Sequence, residues 1–187
     1  MDTNKDKYQA VQYDHFGHVD LLHIVELPKR TVNTDEVLVK VKTAGINPGE
    51  TSIREGLLAK QFPSTFPSGQ GTDFAGVVES AGEGISDFKA GDEVIGFSNN
   101  RNSQAEYVLV KADQLTKKPA NVTWEQAGGL FVAGTTAYAA VRAVGLKEGD
   151  TVIVAGAAGG VGSLVVQIAK RKVLKLLALR VSIISIG

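Results

Sequence analysis

The stretch Gly149–Lys170 reads GDTVIVAGAAGGVGSLVVQIAK, and the order of its parts decides how the chain is divided. A turn at Gly149-Asp150 leads into an apolar run, Val152–Val154, short enough for a central parallel strand. A glycine-rich turn and then a helix with an apolar stripe follow. Ala157–Gly162 fits the pattern A-x-G-x-x-G, with Ala157 where a first glycine is usual and Gly156 just before it. In such a turn Gly159 lets a phosphate approach the backbone, and Gly162 lets the helix pack closely on the strand. Unpaired N–H groups and the positive helix end then face the anion. Glycine-rich turns are common, and a plain tight turn is the alternative. The flanking strand and helix are the context that gives the pattern weight. The predicted dinucleotide-binding set is Gly156, Ala157, Ala158, Gly159, Gly160, Val161 and Gly162.

Upstream, VTWEQAGGLFVAGTTAYAAVRAVG (residues 122–145) reads as helix. Thr123 and Gln126 have the spacing of a capping box, and Gly145 suits a helix C-terminus. With the strand and turn that follow, this makes half of a βαβ unit. Residues before Val122 have a different character. KYQAVQYD, LLHIVELP, EVLVKVKTAGI, DFAGVVESAG, DEVIGFS and AEYVLVKADQL are short strands between glycine, proline and asparagine breaks. That spacing predicts a small barrel or sandwich, with one short helix after Pro48.

Composition narrows the function. Twenty basic residues balance twenty acidic ones, so no broad positive field is available for nucleic acid or an anionic membrane. There is no cysteine, which excludes disulfides, thiolate nucleophiles and zinc sites with sulfur ligands. The polar N-terminus, MDTNKDKYQAV, does not read as a secretory signal. The apolar runs fall short of the roughly 20 residues that cross a bilayer. A cytoplasmic protein is the expectation.

Several separate motifs then agree. GDTVIVAGAAGGVGSLVVQIAK, VKVKTAGINPGETSIREG, PSGQGTDFAGVVESAGEGISDFKAGDEVIG, QAEYVLV and AGTTAYAAV occur in one order between Lys7 and Lys170. Together they resemble the zinc-free quinone oxidoreductase, or zeta-crystallin, branch of the medium-chain dehydrogenase/reductase superfamily. Ile153 stands where leucine is usual, Glu50 where aspartate is usual, and Ser52 where many quinone reductases have tyrosine.

The resemblance implies a β-rich GroES-like barrel, residues 1–122, followed by an incomplete α/β Rossmann-type domain, residues 123–187. It implies an NADPH-dependent oxidoreductase that passes a hydride to a quinone, enone or similar carbonyl acceptor without zinc. A homodimer is possible in the full-length family form. Asn47, in the N-P motif, would face nicotinamide and acceptor; the alternative is a helix N-cap. Thr136, in G-x-T-A, would contact the nicotinamide or its ribose; the alternative is a hydroxyl bonded back to its own helix. These two form the predicted catalytic pair, and both join the cofactor-binding set. Asp73 is expected to hold barrel geometry, and Arg54 and Tyr107 are further cleft candidates. His15, His18 and His23 invite a metal reading with Asp20, but their placement along a hairpin points them to different faces.

The tail RKVLKLLALRVSIISIG departs from the family, which expects a short turn and a second parallel strand after Lys170. One coding of Val173–Arg180, shifted by a base, reads Gly-Ala-Lys-Val-Ile-Gly-Phe-Ala, close to that strand. The expectation is an aberrant tail from about residue 173, produced by a single-base deletion or a sequencing error of that kind, in a chain truncated within its Rossmann domain. The stripes Ala137–Val141 and Leu164–Ile168 would then lack cover, and binding of NADPH would be millimolar or absent. An inactive remnant serving as a binding or interaction module is the alternative function.

Overall fold

Alternation in Glu36–Ala44 puts Val37, Val39 and Val41 on one face, and that face builds the core of the first of two units. The computed structural model describes residues 6–171 and 175–179. It divides into Met1–Phe131 and Val132–Gly187.

The first unit holds eight strands: β1 (Lys7–Tyr13), β2 (His23–Pro28), β3 (Glu36–Ala44), β4 (Ser68–Gly69), β5 (Asp73–Ala81), β6 (Glu93–Phe97), β7 (Tyr107–Lys111) and β8 (Leu115–Lys117). They form an antiparallel five-stranded sheet in the order β7-β3-β5-β6-β8 and a three-stranded sheet in the order β2-β1-β4. Register brings Val37 opposite Val110 and Val39 opposite both Val108 and Val78. These residues, with Phe74 and Val94, are the buried core. Irregular register at Leu38/Val39 and Val41/Thr43 bends β3 against β5, as bulges do.

Helix α1 (Pro48–Arg54) follows β3, with proline in the first turn as its ring requires. Helix α2 (Trp124–Gly128) starts at the expected capping box. The Gln126 amide donates to Thr123 Oγ1 at 3.3 Å, and the Thr123 amide donates to Gln126 Oε1 at 3.1 Å. The helical stretch predicted to run on to Gly145 breaks after Gly128, however. Helix α3 (Phe131–Val144) begins anew, and Gly145 ends it at φ +66°. The break lies where two glycines, poor helix formers, stand together.

In the second unit, β9 (Thr151–Ala155), helix α4 (Gly160–Lys170) and β10 (Lys175–Leu179) follow in order. The parallel pairing Thr151↔Lys175 through Ala155↔Leu179 completes a βαβ unit. This corrects the expectation that the tail supplies no second strand. Backbone N–H and C=O groups pair whatever the side chains are, and Lys175-Leu-Leu-Ala-Leu179 reaches β9 after the helix. Residues 172–174 and 180–187, on which the two ends of the Val173–Arg180 frame-shift reading fall, lie outside the described residues. Two other expectations change. Ala137 and Val141 are buried rather than uncovered. In β9 only Val154 is buried and Ile153 is 61% exposed, because β10 is its one strand partner among the described residues.

Candidate functional site

The glycine turn of the second unit is built by steric need at two positions. Gly156 has φ +67°, a left-handed conformation that glycine adopts without strain, so Ala157 is spared it. A side chain on Gly162 would overlap the Gly156 carbonyl oxygen, so close packing of α4 on the turn demands glycine there. At Gly159 a Cβ would stand 3.3 Å from that oxygen, and at Gly160 it would meet open space. The Gly159 amide donates to Gly156 O at 2.9 Å, and Ala157 N–H donates to Leu179 O at 3.1 Å, tying the turn to β10. Gly159 is the N-cap of α4 and brings no side chain to it. The amides of Gly160, Val161 and Gly162 therefore have no acceptor among the described residues. Ala158 and Gly160 are exposed beside them. A helix start that its own chain leaves open fits a diphosphate.

In the first unit, Asn47 occupies the N-cap position of α1 with φ −112° and ψ 138°, yet its side chain does not cap. Its Nδ2 donates instead to Glu50 Oε1 at 3.2 Å. Glu50, 6% exposed, also receives the Thr72 amide on the same oxygen at 3.1 Å. Gln104 Nε2 stands 3.5 Å from its other oxygen, Oε2. A carboxylate only accepts hydrogen bonds, so it fixes which way the Asn47 amide points. One N–H is held by Glu50, and the second N–H and Oδ1 remain for a ligand.

Thr72 is placed by Gly71, whose φ of +91° and closeness to Ser103 Oγ exclude a side chain. Segment 98–104 is zipped onto this turn. Ser98, Ser103 and Gln104 donate their amides to Thr72, Gly71 and Gln70 carbonyls at 2.9–3.1 Å. Sequence reasoning treated Glu50 as a variant position only, and it missed Thr72 and Gln104. The i, i+3 spacing from Asn47 was the one local signal. Gln104 lies 54 residues away and gives none.

Thr136 lies on α3, exposed, and its hydroxyl has no hydrogen-bond partner among the described residues. The back-bond that was the alternative for Thr136 belongs to its neighbour: Thr135 Oγ1 donates to Val132 O at 3.4 Å. Asn47 and Thr136 thus stand in different units. Asp73 is fully buried, and its carbonyl accepts the Gly45 amide. Arg54 is buried as well, at 4% exposure. Tyr107 is packed edge-on against Tyr8 and covered by Lys29, whose Nζ is 3.9 Å from the ring centroid. His18 bonds Glu55 at 2.9 Å, and His23 bonds Leu21 O at 3.1 Å. No group of three or more His, Asp or Glu residues suited to a metal occurs among the described residues.

Comparison with known proteins adds to this geometry. Residues 33–120 match the alcohol dehydrogenase GroES-like domain. Human quinone oxidoreductase is 35% identical over 183 residues, which cover 95% of this chain and 54% of that protein. The Arabidopsis thaliana chloroplastic NADPH-dependent alkenal/one oxidoreductase is 36% identical over 173 residues, covering 87% and 44%. Among solved structures, the Escherichia coli quinone oxidoreductase complexed with NADPH aligns with TM-score 0.81 and 32% identity, over 91% of this chain and 52% of that one. The chain spans about half the length of these relatives.

Proposed function

We propose that this chain, similar along most of its length to the quinone oxidoreductase branch of the medium-chain dehydrogenase/reductase superfamily, carries the barrel and pyrophosphate turn of an NADPH-dependent, zinc-free reductase of quinones or enones. Residues 1–122 are the barrel domain in this reading and 123–187 the partial cofactor domain. The observation that supports it most directly is the open turn: amides of Gly160–Gly162 with no acceptor among the described residues, beside a Gly162–Gly156 contact that admits no side chain. NADPH is taken from the relatives that use it.

When bound, the reduced nicotinamide supplies a hydride to the acceptor. The chain's part is positioning. Gly156, Ala157, Ala158, Gly159, Gly160, Val161 and Gly162 would form the turn around the diphosphate, with the open amides of Gly160, Val161 and Gly162 and the helix end meeting it. Thr136, whose hydroxyl has no partner among the described residues, would meet the nicotinamide or its ribose. Asn47, oriented by Glu50, offers one N–H to an oxygen that gains negative charge, and Oδ1 to a donor.

The experiment is NADPH oxidation with a panel of quinones and enones. It is run on this chain and on a chain continued to the length of its relatives. Turnover in the longer chain that falls with Asn47→Ala supports the reading; inactivity of both with every acceptor overturns it. A second reading, a binding module without turnover, is favoured by the surface of the β9–β10 pair. Ile153, Leu177 and Leu179 are each more than half exposed there. Turnover by the longer chain alone would assign that reading to this one.

A further inference from the structure

A groove of about 370 Å³, lined by neither Asn47 nor Glu50, opens on the barrel between β1, the segment around Thr65 and the loop Asn100–Asn102. Its wall is mainly polar: Tyr8, Gln12, Thr65, Asn100, Arg101 and Asn102 contribute, and no aspartate or glutamate lines it. Arg101 is its one cation. Among the described residues Arg101 has no carboxylate partner.

The guanidinium is held in place without being neutralised. One terminal nitrogen donates to Pro63 O at 2.7 Å and approaches Ser64 Oγ at 3.4 Å. Its Nε is buried with no hydrogen-bond partner. The backbone reinforces the placement, since Arg101 has φ +51°, a left-handed conformation that few side chains adopt willingly. A non-glycine residue kept there is held by its surroundings, here by Ser98 O accepting the Arg101 amide at 3.1 Å. Asn102 is oriented too. Its Oδ1 accepts from Ser98 Oγ, which leaves both Nδ2 hydrogens as donors. A pre-placed cation with no carboxylate partner among the described residues, flanked by amide and hydroxyl donors and free of acid, is complementary to an oxyanion.

We propose that this groove binds the carboxylate or phosphate group of a small molecule, with Arg101 as its charged anchor and Asn102 as a second donor. The site is separate from the Asn47–Glu50 pair and does not depend on the hydride-transfer reading. Its volume suits one compact anion rather than a polymer.

The test is an amide NMR titration of the full chain with inorganic phosphate and, separately, with succinate, against sodium chloride at matched ionic strength. Saturable shifts confined to Asn100–Asn102, Thr65 and Gln12 are expected, with midpoints in the millimolar range for such minimal probes. Tighter binding of one probe identifies the preferred group. Arg101→Gly keeps the left-handed backbone and removes the charge; Asn102→Asp keeps an acceptor for Ser98 and puts a carboxylate in the groove. Each should weaken the shifts by about tenfold or more, as loss of a charge-assisted bond does. Arg101→Lys should lose less. Should neither probe produce shifts there beyond those of chloride, or should both variants titrate like the parent chain, the proposal is overturned.

Discussion

Asn47 and Glu50 face one another across the first turn of α1, with the amide of one donating to the carboxylate of the other at 3.2 Å. That contact takes the place of the N-cap bond the sequence allowed at Asn47. It makes Glu50 the residue that sets what Asn47 presents, and it suggests a direct test.

Glu50→Gln keeps the size of the side chain but turns one oxygen into a donor. If the amide nitrogen replaces Oε2, it meets Gln104 Nε2; if it replaces Oε1, it meets Asn47 Nδ2 and the Thr72 amide. The second orientation leaves a buried donor unmatched, at about 1–3 kcal/mol, and the first requires Gln104 to turn its amide and present its oxygen. A lower urea midpoint for the first unit is expected, together with an upfield shift of the Thr72 amide. Asn47→Asp should lower the midpoint as well, by placing two carboxylates together. Unchanged midpoints in both would show that Glu50 does not organise this corner.

Gly162 and Gly160 make a matched pair in α4. An alanine Cβ at Gly162 would overlap the Gly156 carbonyl, and the expected loss is about 1–3 kcal/mol, typical of forced overpacking. Gly160→Ala meets open space and should be neutral or stabilising by up to about 1 kcal/mol through helix propensity. Hydrogen exchange of the α4 amides separates the two. Equal protection in both variants would contradict the packing assigned to Gly162.

Thr123 should show the ordinary value of a capping residue. Thr123→Ala removes the acceptor for the Gln126 amide, and about 1 kcal/mol of stability is expected to go with it. Thr123→Ser should retain most of that. Chemical denaturation of the three chains side by side reads the difference.

The pair Asp35–Lys111, 3.1 Å apart and largely exposed, predicts a pH response. The Lys111 hydrogen bond and charge hold the Asp35 carboxyl below its ordinary value, and Asp35 raises the Lys111 amine. The Asp35 contribution is present above the unfolded carboxylate value and is lost as pH falls through the lowered folded one. The Lys111 contribution is full below the unfolded amine value and is lost as pH rises through the raised folded one. Both therefore persist across the neutral range. In Lys111→Ala, carboxyl carbon NMR should find Asp35 titrating nearer the usual range, and added salt should move the parent chain the same way.

What the residues determined alone is what short-range physics governs. Val37, Val39 and Val41 had to share a face, Thr123 and Gln126 had to open a helix, and Gly145 had to end one, because each rule acts within a few residues. The glycine turn was legible for the same reason: strand, turn and helix are contiguous. Tertiary structure decided the rest. Glu50 gained Thr72 from 22 residues away and Gln104 from 54, partners that only the folding of β5 and the loop before β7 onto α1 could supply. Arg101 has a carbonyl, Pro63 O, and no carboxylate beside its guanidinium among the described residues because packing put them so, and Lys175–Leu179 became a strand because β9 offered an edge. Hydrogen-bond partners distant along the chain are chosen by packing, and no local pattern encodes that choice.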